Sequence, residues 1–172
     1  MTKRQGIHIF LLIVVLNAIA FVSYGQDPTD SLPPDPGAIS VYNYQNMNFG
    51  AFTQGASGGT VILSTAGARS VTSTVVGLNM GVSYYQAIFE IEGPSGTIIS
   101  ILNGSDITLT GSNGGTATLH LGGSSPGSPF VTSVSPPSRT QVSIGGTLTI
   151  GNSSASPPGS YSGTFSVTFN QE

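Results

Sequence analysis

Tyr161-Ser162-Gly163-Thr164-Phe165-Ser166-Val167-Thr168-Phe169 alternates without a break. Tyr161, Gly163, Phe165, Val167 and Phe169 fall on one face, and hydroxyl side chains fall on the other. Successive side chains of a strand point to opposite faces, so this stretch predicts a half-buried antiparallel strand whose core face is Tyr161, Phe165, Val167 and Phe169. The rest of the chain repeats the pattern in shorter pieces. Candidate strands are 39–44, 47–52, 60–64, 69–76, 83–92, 97–102, 107–110, 116–121, 130–134, 140–144, 147–150 and 160–169, separated by Gly, Pro, Ser and Asn. Many short strands between turn signals, with no sustained 3.6-residue periodicity, predict an all-β fold, an antiparallel β-sandwich.

The N-terminus has a different character. Lys3 and Arg4 precede an apolar run from Ile7 to Val22, which ends in Ser23-Tyr24-Gly25. A basic start, an apolar centre and small residues before the break are the layout of a cleaved signal peptide over residues 1–25. Residues 26–37 hold four prolines and one large apolar side chain, Leu32. They are expected to form an acidic, extended linker. Residues 38–172 are then expected to be one β-sandwich domain. This layout predicts a secreted protein with no membrane insertion after cleavage, residing in the periplasm, on the outer surface or outside the cell.

Composition removes several classes of function. After residue 25 only Arg69 and Arg139 oppose seven carboxylates, a side-chain balance of −5. Binding to a phosphate backbone requires clustered cations, so nucleic acid is excluded as a partner. The chain has no cysteine, hence no disulfide, and stability must come from packing and sheet hydrogen bonds. Charged residues make up 6% of the chain, against about 25% in ordinary domains. Gly, Ser, Thr and Asn take their place, which suits an extracellular β-rich surface protein.

Few residues offer chemistry. His120 is the single histidine after residue 25, and Asp106 is the nearest acid to it in sequence. No nucleophile elbow accompanies them, so His120 reads as an exposed strand residue. Glu90 and Glu92 share a strand face about 7 Å apart. They read as a solvated outer face, with calcium as the alternative. One of Tyr84 and Tyr85 must face outward. Asn103-Gly104-Ser105 and Asn152-Ser153-Ser154 fit glycosylation sequons that bacteria generally leave silent. Gly-Gly-Thr occurs at residues 58–60, 114–116 and 145–147, and reads each time as a turn followed by a strand start. No enzyme, cofactor or metal site is expected.

Asn48-Phe49-Gly50, Gly58-Gly59-Thr60-Val61, Arg69-Ser70, Gly145-Gly146-Thr147-Leu148-Thr149-Ile150-Gly151 and Pro158-Gly159-Ser160-Tyr161-Ser162-Gly163-Thr164-Phe165 together resemble the exported bacterial domain-of-unknown-function family 4402 over residues 40–170. That family has no established activity. The closing block is also similar to chaperone–usher fimbrial subunits and spore-coat-U-type domains. Gly159, fourteenth from the end, matches their glycine, whereas Gln171 and the missing disulfide depart from their pattern. The resemblance implies an Ig-like or fimbrial-subunit-like sandwich. It also implies self-association by strand addition, with residues 38–44 as donor and Ile39 and Val41 as anchors. The alternative is that 38–44 is the first strand of its own domain. The functional expectation is a non-catalytic cell-surface structural or adhesion component that associates with itself or with other surface proteins. The alternative function is a monomeric exported module binding glycan or envelope material.

Overall fold

The computed structural model describes residues 37–172 together with the pair Leu12–Ile13, so the signal peptide and linker expectations otherwise lie outside the described residues. Among the described residues there is no helix. The strands are β1 (Leu12–Ile13), β2 (Ser40–Gln45), β3 (Ala51–Thr53), β4 (Gly59–Leu63), β5 (Arg69–Val71), β6 (Val76–Gly77) and β7 (Ala87–Glu92). They continue as β8 (Ile98–Asn103), β9 (Ile107–Gly111), β10 (Thr116–Ser125), β11 (Phe130–Val131), β12 (Thr140–Ile150), β13 (Tyr161–Ser162) and β14 (Val167–Gln171). Every pairing between them is antiparallel.

The large sheet runs β13-β9-β10-β12-β4-β5, and β7 with β2 beyond it lies along the other half of β12. β12 is the spine. Its first half, Thr140 to Ile144, pairs with β7, and its second half, Gly146 to Ile150, pairs with β4. Its opposite edge carries β10, with one register shift between Leu121 and Ser124. Smaller sheets are β11-β8-β14 and β1-β3-β6. In the last of these, Leu12 and Ile13 stand opposite Phe52 and Ala51.

Alternation decides the core. Val142, Ile144, Leu148 and Ile150 of β12, Ala117, Leu119 and Leu121 of β10, Leu109 of β9, Val61 and Leu63 of β4, and Phe89 and Ile91 of β7 all turn inward. Ile99 of β8, Phe130 of β11 and Val167 of β14 join them in one cluster, which Met47, Phe49 and Phe52 complete without any exposure. Each such side chain contributes about 1.5–3 kcal/mol on burial, which is where a chain without disulfides finds its stability.

Two expectations change in detail. The closing stretch is split: Tyr161–Ser162 pair with β9 in the large sheet, whereas Val167–Gln171 pair with β8 in the small one. Alternation survives the crossing. Tyr161, Phe165 and Val167 are buried, and Phe169 packs edge-on against Phe89 at 5.4 Å. Gly145-Gly146 is not a turn but the middle of β12. A side chain at Gly145 would meet the Leu63 carbonyl, and one at Gly146 would meet Met47 and Leu119. The pair is glycine because the neighbours come close where β7 gives way to β4.

Gly114 and Gly115 do form a turn, at φ +81° and +72°. A Cβ on Gly114 would meet open space, but on Gly115 it would overlap the Pro157 ring and the Ala155 carbonyl. Gly114→Ala is expected to cost about 1–2 kcal/mol, the left-handed backbone penalty alone. Gly115→Ala should cost more than about 3 kcal/mol, because overpacking adds to that penalty. Urea unfolding of the two variants checks the difference.

The Tyr161 hydroxyl donates to the Pro157 carbonyl at 2.6 Å, four residues upstream, and its ring is 1% exposed. Burial pushes the phenol above its ordinary value near 10. The folded state therefore holds this proton more tightly than the unfolded chain. The stabilisation is complete below about pH 10 and is lost as the pH rises through the folded-state value. Tyr161→Phe should cost about 1 kcal/mol at neutral pH. It should also reduce the loss of stability above about pH 10, as followed by denaturation at stepped pH.

Candidate functional site

The outer face of the large sheet is the most regular surface of the molecule. Since inward positions on β10 and β12 are Ala117, Leu119, Leu148 and Ile150, the residues between them must face out. Register then aligns them across strands. Thr108 stands opposite Thr118, Thr118 opposite Thr149, and Thr149 opposite Thr60. Thr60 and Thr72 join through their hydroxyls at 2.6 Å. One row of five threonines thus crosses β9, β10, β12 and β4 and ends at Thr72, just past β5. A second row holds His120, Thr147, Ile62 and Ser70, and a third pairs Thr116 with Thr110 and Thr110 with Ser162. Thr72, Thr108, Thr110, Thr116, Thr118 and Thr149 are exposed. The three Gly-Gly-Thr repeats deliver Thr60, Thr116 and Thr147 to this face.

His120 stands at the rim of these rows. Its Nδ1 lies 2.7 Å from Asp106 Oδ1, with side chains 66% and 59% exposed. Proximity in sequence already points to this partner. Among the described residues, the carboxylate of Asp106 is the partner this ring is given. A contact this exposed contributes little to stability.

Glu90 and Glu92 also face outward, but not as free carboxylates. Arg139 donates from Nη1 to Glu90 Oε2 at 3.1 Å and from Nε to Glu92 Oε2 at 3.0 Å. Its guanidinium lies over the Tyr42 ring, 3.7 Å from the centroid. The hydrogen bonds to Glu92 first, and then to Glu90, raise the arginine above its ordinary value. Sequence reasoning misses Arg139 because it reaches the acids only through the β7–β12 register, 47 and 49 residues away. Among the described residues, no group of three or more His, Cys, Asp or Glu side chains is placed to hold a metal.

The remaining candidates have structural work. Arg69 donates to the carbonyls of Phe49, Ala51 and Leu78 and covers the Tyr84 ring at 4.3 Å, while Tyr85 bridges to Asn48 through the backbone. Asn103 donates to the Gly122 carbonyl, and Asn152 accepts from the Ser154 and Ala155 amides. Within this chain residues 40–45 are β2, paired with β7; Val41 is in the core and Ile39 packs against it beside Gly93.

The family model described as Domain of unknown function (DUF4402) matches residues 39–170, from just before β2 into β14. The chain belongs to this family. No curated protein and no solved structure matches it. Family membership therefore brings no reaction or ligand to the face just described.

With Arg139 already bonded to both acids, calcium has to displace a guanidinium to bind there. Millimolar calcium is expected to leave the thermal midpoint of the protein unchanged. The Arg139→Met variant, which frees two carboxylates on one face, should gain a calcium-dependent upward shift in the same melting experiment.

Proposed function

We propose that this member of the DUF4402 family is a secreted, non-enzymatic structural or adhesion component of the bacterial cell exterior. The observation that carries the reading is the outer face of the large sheet: over β9, β10, β12 and β4 it presents rows of mostly hydroxyl side chains in fixed register, with the His120–Asp106 pair at one end and the Arg139–Glu90–Glu92 cluster on β7 beyond them. A face rich in neutral hydroxyls makes many weak contacts to an extended surface. The two acidic sites are each satisfied internally, one by His120 and one by Arg139.

A second reading, a monomeric exported module for glycan or envelope material, is favoured by β2. Residues 40–45 complete the sheet of their own chain and bury Val41 to 8% exposure, so folding needs no strand from a neighbour. Assembly by strand addition would then have to use a different edge, such as β14, which among the described residues pairs with β8 alone.

Protease treatment of intact cells is expected to remove the protein, and cells lacking it are expected to lose attachment or aggregation. Recovery of the protein solely from the cytoplasm overturns the proposal. In denaturing detergent, a ladder in the unboiled surface fraction that collapses on boiling supports a polymer, while a single unboiled band supports the monomeric module. Val41→Asp, which places a charge in the core, should unfold the chain under either reading.

A further inference from the structure

The sheet edges are not equally protected. An edge strand presents unpaired N–H and C=O groups, and proteins blunt it by brevity, charge, proline or a bulge. Among the described residues β1, β6, β11 and β13 have two residues each, and β5 has three, opening on Arg69. β2 is longer, but its register shifts between Asn43 and Gln45. β14, at the end of its sheet, has none of these devices. Its five residues, Val167-Thr168-Phe169-Asn170-Gln171, hold no charge, glycine or proline and pair with β8 in unbroken register.

Two bonds fix which way this backbone faces. Glu172 donates its amide to the Ile98 carbonyl, and the Ser166 carbonyl accepts from the Gly104 amide, so residues 166 and 172 point towards β8. Backbone groups alternate in direction along a strand, so those of Val167, Phe169 and Gln171 point to the open side. The strand is also held still. Ser100 Oγ donates to the Glu172 carboxylate at 2.6 Å, and the Gln171 side chain donates to the Gly37 carbonyl at 2.9 Å. Outward groups at every second residue are matched by another extended strand. A disordered peptide would have to be ordered on arrival, whereas a second β14 comes already extended.

We infer that β14 pairs with β14 of a second copy of this chain, antiparallel about a two-fold axis at Phe169. The segment is its own complement. Phe169 stands opposite Phe169 of the second copy, Val167 opposite Gln171, and Thr168 opposite Asn170. Every outward amide and carbonyl of both strands then finds a counterpart. A slip of two residues in either direction would leave one outward residue of each strand without one. The partly buried Phe169 ring, edge-on to Phe89, gains a second aromatic neighbour across the axis. No like charges meet, because the segment is neutral and Glu172 comes opposite Ser166 of the second copy. Such a contact is isologous and closes at two copies. With five residues a side against about 20–30 in a stable interface, it is reversible. The pairing goes beyond the proposed surface role and depends on the fold alone.

The chain has no cysteine, so single cysteines report the register directly. Residues 168 and 170 of the two copies form a non-hydrogen-bonded pair, about 4.5 Å between Cα atoms, which a disulfide can bridge. Identical positions lie on the diagonal, about 7–8 Å apart, which it cannot. With protein recovered from the exporting cell, a mixture of Thr168→Cys and Asn170→Cys is expected to cross-link under mild oxidation, and each variant alone is not. In sedimentation the wild type should pass from monomer to dimer between about 1 μM and about 1 mM, the range of weak complexes. Thr168→Lys combined with Asn170→Lys sets like charges opposite one another and should weaken the dimer about tenfold or more. Mixing that variant with Thr168→Glu combined with Asn170→Glu should restore it. Thermal unfolding verifies that each variant is folded, and if the lysine variant is not, the cysteine pair carries the test. A wild type that stays monomeric or grows past the dimer overturns the inference. So does a dimer that the folded lysine variant leaves intact, and so do cysteine variants that cross-link as well alone as mixed.

Discussion

Without disulfides, every strand of this protein is held by its hydrogen-bonded ladder and by the side chains it buries, and both come together on β12. Its eleven residues carry β10 along one edge and β7 followed by β4 along the other. A slip of one residue would turn Val142, Ile144, Leu148 and Ile150 to water and bring Gln141, Ser143, Thr147 and Thr149 inside. Burying even one hydroxyl without a partner costs about 1–3 kcal/mol, and exposing four aliphatic side chains costs more. The register of the whole large sheet follows from that penalty. Gly145 and Gly146 let two successive partners approach the same edge without a clash.

The same penalty orders the outside. Once Leu119 and Leu148 must face one another in the core, Thr118 and Thr149 must face one another outside it, because a strand allows no third direction. The threonine rows are thus positioned by the aliphatic residues between them. Threonine suits the place for a further reason. Its branched side chain has few rotamers in a strand, so presenting a hydroxyl in a fixed direction costs little entropy. Serine or lysine at these positions would leave the ladder intact but loosen the array. An exposed threonine contributes within about half a kcal/mol to stability, so folding leaves its identity here free.

How much of this is legible in the sequence depends on the range of the interaction. Alternation in residues 161–169, 116–121 and 140–150 is local, and it reveals the all-β class and the buried faces. Phe165, Val167 and Tyr161 are inside as the pattern requires. What alternation cannot carry is pairing. The split of the closing stretch between β9 and β8, the union of 140–144 with 147–150, and the shortening of 69–76 to two brief strands are all decided by neighbours distant in sequence. The site follows the same rule. His120 and Asp106 are fourteen residues apart, near enough for the chain itself to suggest the pair, whereas Arg139 and its two acids are 47 and 49 apart and nothing local joins them. The threonine rows join five segments, so no single segment contains the signal. The repeated Gly-Gly-Thr is its one local trace, and in isolation that trace signals turn chemistry alone.

That repeat brings the local and the distant levels together. At residues 58–60 and 114–116 the glycines adopt positive φ where the chain leaves a turn, and the following threonine lies within the first two residues of β4 or β10. At 145–147 the glycines sit in mid-strand, yet Thr147 arrives beside His120 on the same outer face. Two different backbone solutions end in the same placement of a threonine. Turn geometry alone requires only that the next residue tolerate a strand, which Val or Ile would do equally well. Packing does not choose threonine either, since these side chains face away from the core. What remains common to Thr60, Thr116 and Thr147 is the outer face of the large sheet, which each reaches from a different row of the register.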